Sequence, residues 1–217
     1  MRRLSFGAAA ATRIQRVAVA LKLTDGGRHT GIVFRDGGRL LFTHVGWHYT
    51  SIIQPFSGDE YHWMNPDTTD TEDNLIASYC RSVASAYKKG LPYAIERSAV
   101  IGSGGVVTIT RSGGGFTCAT FVMDMFAGAG VTMFDESTWK VFPEDVAEQQ
   151  RVVDLMKTWH IDARHIALQQ SRVGRVVRFR PEDVAAGCAM TCTAPNAFTK
   201  VRPVAEQLVA ELLSAQE

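Results

Sequence analysis

Hydrophobic and polar positions alternate along 17–23, with Val17, Val19, Leu21 and Leu23 set against Ala18, Ala20 and Lys22. A period of two belongs to a strand that turns one face to a core. Asp25, Gly26 and Gly27 supply a turn. Two more β-prone runs follow, HTGIVF from His29 and RLLFTH from Arg39. They flank Asp36-Gly37-Gly38, and an Asp-Gly between such runs predicts a hairpin. The stretch 55–73 is polar and irregular, with Tyr61 and Trp63 inside it. A helix is predicted over 71–89, stopped by Gly90. A short strand pair, 98–101 and 106–110, brackets the glycines of 102–105, and an apolar helix spans 117–127. Phe142-Pro143-Glu144-Asp145 opens a helix that runs to Trp159, with proline in its first turn and acids near its start. The run 173–179 reads as a strand. Arg180-Pro181-Glu182-Asp183 repeats the helix-start device, so PEDVA occurs twice, with no longer repeat around it. The last helix, 204–213, is amphipathic through Val204, Leu208, Val209, Leu212 and Leu213.

These elements predict an α+β fold. A small antiparallel sheet packs against the helix at 117–127, and further helices follow toward the C-terminus. No linker is rich enough to split the chain, so one domain is expected over 1–217, with a core at 14–131 and a C-terminal helical extension at 136–217. The length, 217 residues, suffices for one sizeable core, and the 46% hydrophobic content is ordinary for a globular chain. Net charge is +1, which gives no general push toward nucleic acid or an anionic membrane. Cys80, Cys118, Cys188 and Cys192 are scattered and do not form the framework of a small secreted domain. The N-terminal run imitates a signal peptide, but Arg13 and Arg16 interrupt it. No stretch approaches the ~18 apolar residues of a membrane span. The expectation is a cytoplasmic protein by default, without an integral membrane segment or a nucleic-acid partner.

One stretch carries candidate chemistry: GGGFTCATFV, from Gly113. Cys118 stands where a glycine run enters a helix. Most cysteines in such places are small buried hydrophobes. A helix N-terminus, however, favours a thiolate through its dipole and unpaired N–H groups. On a helix, Cys118 shares a face with Phe121, Val122, Met125 and Phe126, which aims the thiol at the sheet. The hairpin offers a base. With Asp36-Gly37 as its loop, His29 lies opposite His44, at the ~5 Å Cβ separation of directly opposed residues. With Gly37-Gly38 as the loop, His29 faces Gly46. In the first register His29 takes the thiol proton and His44 holds the His29 ring in one tautomer, the usual logic of an activated nucleophile.

A histidine on an early strand and a cysteine at a later helix start, in that order, resemble the circularly permuted branch of the NlpC-type, papain-like superfamily. That branch includes bacterial amidases and peptidases and the lecithin–retinol acyltransferase-like enzymes. HTGIV at His29 is similar to the family's histidine strand. GLPY at 90–93 is similar to its G-x-P-Y, and TCATFV at Thr117 to its cysteine helix start. The resemblance spans about 18–131. It implies a papain-like fold and acyl transfer through a thioester on Cys118, with His29 as base and His44 as the third polar group. Oxyanion or substrate support falls to Tyr93 and Thr117, and no cofactor or metal is needed. The implied activity is a cysteine hydrolase cleaving an amide in a peptide or peptidoglycan stem. A peptidoglycan target then implies export by a specialised secretion system. The alternatives are a lipid acyltransferase or phospholipase acting on lipid esters, and a binding module that has lost the chemistry. The chain departs from the family at the third position, where the bacterial branch usually has an acid and His44 stands here. It departs also at Ala94 and at Thr117, which replaces the asparagine of the acyltransferase-like enzymes.

Other clusters have plainer readings. Cys188 and Cys192 with His160 and His165 do not match a zinc spacing. Asp67, Asp70, Glu72 and Asp73 read as a solvated loop and helix start, not a calcium loop. Arg172, Arg175, Arg178 and Arg180 read as the solvated face of the strand at 173–179. The glycines at 102–105 and 113–115 are not phosphate loops, since no Gly-Lys-Ser/Thr follows.

Overall fold

A computed structural model describes residues 4–24, 27–50, 52–190 and 194–215. It is α+β. A single-turn helix α1 (Ala8–Ala11) leads into β1 (Val17–Thr24), β2 (Gly27–Asp36) and β3 (Arg39–Thr43), followed by short strands β4 (Ile53–Pro55) and β5 (His62–Met64). All neighbours are antiparallel, in the order β4-β3-β2-β1-β5. The alternation read from the sequence sorts the two faces. Val17, Val19, Leu21, Ile32 and Phe34 enter the main core. Ala18, Ala20, Val33 and Phe42 face a thinner layer made by Ile14, Tyr61 and Trp63. Of the turn expected at 25–27, Asp25 and Gly26 lie outside the described residues.

The hairpin takes the Gly37-Gly38 loop, not the Asp36-Gly37 loop. Asp36 pairs with Arg39 and Ile32 with Thr43. Gly37 and Gly38 have φ of 52° and 85°. With positive φ at both positions this is the type I′ kind of two-residue loop, which two glycines adopt without strain and an aspartate in the first position adopts less readily. In this register His29 is not paired with His44. β3 ends at Thr43, and the chain then leaves β2, with His44 N–H bonded to Ile52 O at 3.0 Å.

Helix α2 (Asp70–Ala86) is closed at its start by a Thr69/Glu72 capping box. The strand pair β6 (Ala99–Ile101) and β7 (Val107–Ile109) follows, and then α3 (Cys118–Gly128). From Cys118 to Phe126 every residue of α3 is buried, because β2, α2 and a later helix enclose it. Its one charge inside that shell, Asp124, is held by Arg97 at 3.0 and 3.1 Å. The chain continues as α4 (Pro143–Thr158), α5 (Ala163–Gln170), α6 (Pro181–Ala189) and α7 (Phe198–Ser214). Val184, Ala185, Ala186 and Cys188 of α6 and Val201, Ala205 and Leu208 of α7 join the same core as the sheet. None of the described helices is long and apolar enough to cross a membrane.

Three expectations need correction. The run 173–179 is not a strand but a turn and an irregular segment. Three of its four expected solvated arginines, Arg172, Arg178 and Arg180, are instead paired. Arg172 pairs with Glu96 at 2.8 Å, and Arg178 and Arg180 reach Asp145 at 3.2 and 2.7 Å. Two distant carboxylates, Glu96 and Asp145, bind three of the four arginines, which overrides the period-two pattern, while Arg175 alone stays exposed. The last helix starts at Phe198 rather than Val204 and carries Pro203 within it.

Candidate active site

The glycine run before Cys118 is a close-packed ribbon rather than a flexible joint. Phe116 N–H donates to Pro92 O, and Ala94 N–H to Phe116 O, both at 3.0 Å. A Cβ on Gly115 would stand 2.2 Å from Pro92 O, and one on Gly114 2.5 Å from Ser98 O. Glycine is what lets the GLPY segment lie beside this ribbon. Gly90 itself has φ of 83°, and a Cβ there would meet Thr50 O at 1.9 Å. Helix α3 then begins at Cys118, with Thr117 as N-cap. Thr117 Oγ1 accepts from Thr120 N–H at 3.0 Å, and Thr120 Oγ1 accepts from Thr117 N–H at 2.9 Å.

The two histidines meet despite the register. His44, past the end of β3, turns so that its Nδ1 lies 2.7 Å from Nε2 of His29. The rings are near perpendicular, with centroids 4.9 Å apart. Phe42 stacks on His44 at 4.6 Å and fixes its plane. With Nε2 of His29 engaged, Nδ1 is the nitrogen left to exchange a proton with a thiol. Burial, and then the neighbouring His44 ring and Lys22, lower His29 to about 3. Burial and Lys22 lower His44 to about 4. Both rings are therefore neutral at pH 7.

Cys118, His29, His44, Tyr93 and Thr117 all line one cavity of about 450 Å³. Burial pushes the Cys118 thiol up, while the backbone N–H groups of Thr30, Ala119 and Cys118 and the Arg178 cation favour its anion. Thr30 follows His29 directly, on the stretch of β2 that β3 no longer covers. Among the described residues no hydrogen bond joins the sulfur to either imidazole. The resting pair is thus a neutral thiol and a neutral imidazole, not the thiolate that a helix start alone leads one to expect. The phenols of Tyr61 and Tyr93 are pushed up by burial and stay protonated.

Sequence reasoning did not find the rest of the cavity wall. Lys22 and Tyr61 stand on one side, the ammonium 4.4 Å from the ring centre. Arg151, Val152, Arg178 and Phe179 come from α4 and the segment before α6. No short motif marks them, because only the tertiary fold brings α4 to the sheet edge. Gly27 leaves room for them, since a Cβ there would meet Arg151 and Glu148 at 3.0 Å. Away from this cavity, Cys188 Sγ lies against Met133 Sδ at 3.3 Å, and Cys192 lies outside the described residues. Among the described residues no group of three or more His, Cys, Asp or Glu side chains is placed to hold a metal ion. Comparison of the chain with family models, curated proteins and solved structures found no match.

Proposed function

We propose that this protein is a cysteine hydrolase of papain-like type that cleaves an amide bond, in a peptide or a peptidoglycan stem, through a thioester. One observation carries the reading. Cys118 starts a buried helix in the cavity that also holds His29, and His29 is bonded at 2.7 Å to His44. Cys118 Sγ adds to the substrate carbonyl carbon as its proton passes to Nδ1 of His29. The Cys118 N–H, at a helix start where backbone N–H groups have no intrahelical acceptor, turns to the developing oxyanion once the sulfur has bonded to carbon. The C–N bond then breaks, and the amine leaves with the proton held by His29. Water, deprotonated by His29, opens the thioester, releases the acid and restores the thiol. His44 holds the His29 ring in one orientation throughout.

The neutral resting pair fits general-base catalysis, in which the proton moves as the sulfur attacks. A second reading, acyl transfer from a lipid ester, is favoured by the second histidine standing where the amidase pattern has an acid. The test is to incubate the protein with amide and lipid-ester panels and look for an acyl adduct on Cys118 by mass spectrometry. Amide turnover that falls at least ~1000-fold in Cys118→Ala, with the fold kept, is the expected result. An adduct from lipid esters alone supports transfer instead. Wild-type turnover in Cys118→Ala, or no adduct from either panel, ends the hydrolase reading.

A further inference from the structure

The wall that carries Tyr93 is held in place by two histidines outside the site described above. Residues 92–94 run beside Phe116, with Pro92 O and Ala94 N bonded to it. Successive backbone groups of an extended segment point to opposite edges. The N–H and C=O of Tyr93 therefore face away from Phe116, toward an edge where no strand runs among the described residues. Two imidazoles stand there instead. Tyr93 N–H donates to Nδ1 of His48 at 3.1 Å, and Nε2 of His165 donates to Tyr93 O at 2.8 Å. The ring centroids are 4.4 Å apart. His48 comes from the loop after β3, which is tied to the same segment by Tyr49 N–H donating to Leu91 O at 2.9 Å. His165 comes from the first turn of α5, whose N-cap Asp162 accepts its backbone N–H at 3.0 Å.

We propose that His48 and His165 are positioning residues that grip both backbone polar groups of Tyr93, and through Phe116 set the ribbon that delivers Cys118. Their effect on turnover rests on the reading of Cys118 as nucleophile; the grip itself does not.

The bonds fix the protons. Nδ1 of His48 accepts, so it is bare and the ring is neutral. Nε2 of His165 donates, so it carries a proton. A second proton on His48 has to go to Nδ1, where it ends the bond to Tyr93. It also places a cation on a half-buried ring, which burial and the neighbouring His165 oppose and Asp162 favours. A buried backbone N–H left without a partner is costly. The grip is therefore closed at neutral pH and released by acid.

The experiment follows the Tyr93 and Phe116 amides by NMR hydrogen exchange. In His48→Ala the Tyr93 amide exchanges at least ~10-fold faster while Phe116 keeps its protection, and His48→Gln, which retains an acceptor, recovers part of the loss. Turnover in His48→Ala drops ~10- to 100-fold, mainly in kcat, as expected for a displaced support of the reacting group. If His48→Ala does not fold, wild-type protein is titrated from pH 7.5 to 5. Loss of protection at Tyr93 before Phe116 supports the grip. Unchanged Tyr93 exchange in a folded variant, or simultaneous loss at both amides in the titration, overturns it. If Cys118→Ala shows the hydrolase reading to be wrong, the exchange result still decides the grip.

Discussion

The ring of His44 reaches His29 because position 46 has no side chain. A Cβ on Gly46 would stand 2.8 Å from Cε1 and 3.1 Å from Nδ1 of that ring, and Nδ1 is the atom bonded to His29. Gly31 is closed for a different reason, since its Cβ would meet the Phe42 ring at 2.5 Å and Thr43 O at 2.6 Å. The two glycines should therefore fail differently. In Gly46→Ala the ring is free to swing, so stability changes little while the histidine bond is lost. Turnover is expected to fall on the order of 100-fold, with the denaturation midpoint held to within a degree or two. In Gly31→Ala a backbone carbonyl has to move, at a cost of about 1–3 kcal/mol. Measuring turnover and thermal midpoint of both variants checks this. Full activity in Gly46→Ala would remove His44 from the proposed mechanism.

At the scale of elements, some of this was legible and some was not. The strand at Val17, the helix at Cys118 and the start of α4 followed from period, capping and proline placement, because each is set by neighbouring residues. The hairpin register was not legible from the hydrophobic pattern. Two loops, one residue apart, both left alternating strands, and the positive φ that suits two glycines decided between them. The His29–His44 pair was expected from the register that did not form. It arises because β3 ends at Thr43, which no local signal shows. The strand expected at 173–179 failed because Glu96 and Asp145, distant in sequence, bind its arginines. Where local rules do govern, they give a sharp expectation. Thr117 caps α3 by a bond of 3.0 Å from Thr120 N–H. Thr117→Ala should cost about 1 kcal/mol, seen as a lower denaturant midpoint at unchanged slope, and Thr117→Ser should cost much less. Equal losses in the two variants would mean that the methyl group, not the cap, carries the effect.

Across the whole molecule five of the six histidines share one property. Burial lowers His29, His44, His48, His62 and His165 below their ordinary value, His29 to about 3 and His44 to about 4. In the unfolded chain each titrates near pH 6.5. As pH falls below ~6.5 the unfolded chain takes up protons that the folded one refuses, at about 1.4 kcal/mol per proton per pH unit for a fully enclosed ring. The opposite sign comes from Asp183, which burial raises to about 6, and from Asp124, also raised by burial. The folded chain gains those protons first, but two carboxyls do not offset five imidazoles. The histidine penalty is therefore absent above ~6.5 and grows as pH drops toward the folded values of His44 and His29. Urea midpoints at pH 7.5, 6 and 5 should decrease steadily, and replacing His29 and His44 with glutamine should flatten the trend. A midpoint that holds or rises between pH 7.5 and 5 would mean that these rings carry charge in the fold. That outcome reaches beyond stability, because a charged His29 has no lone pair at Nδ1 with which to take the proton of Cys118.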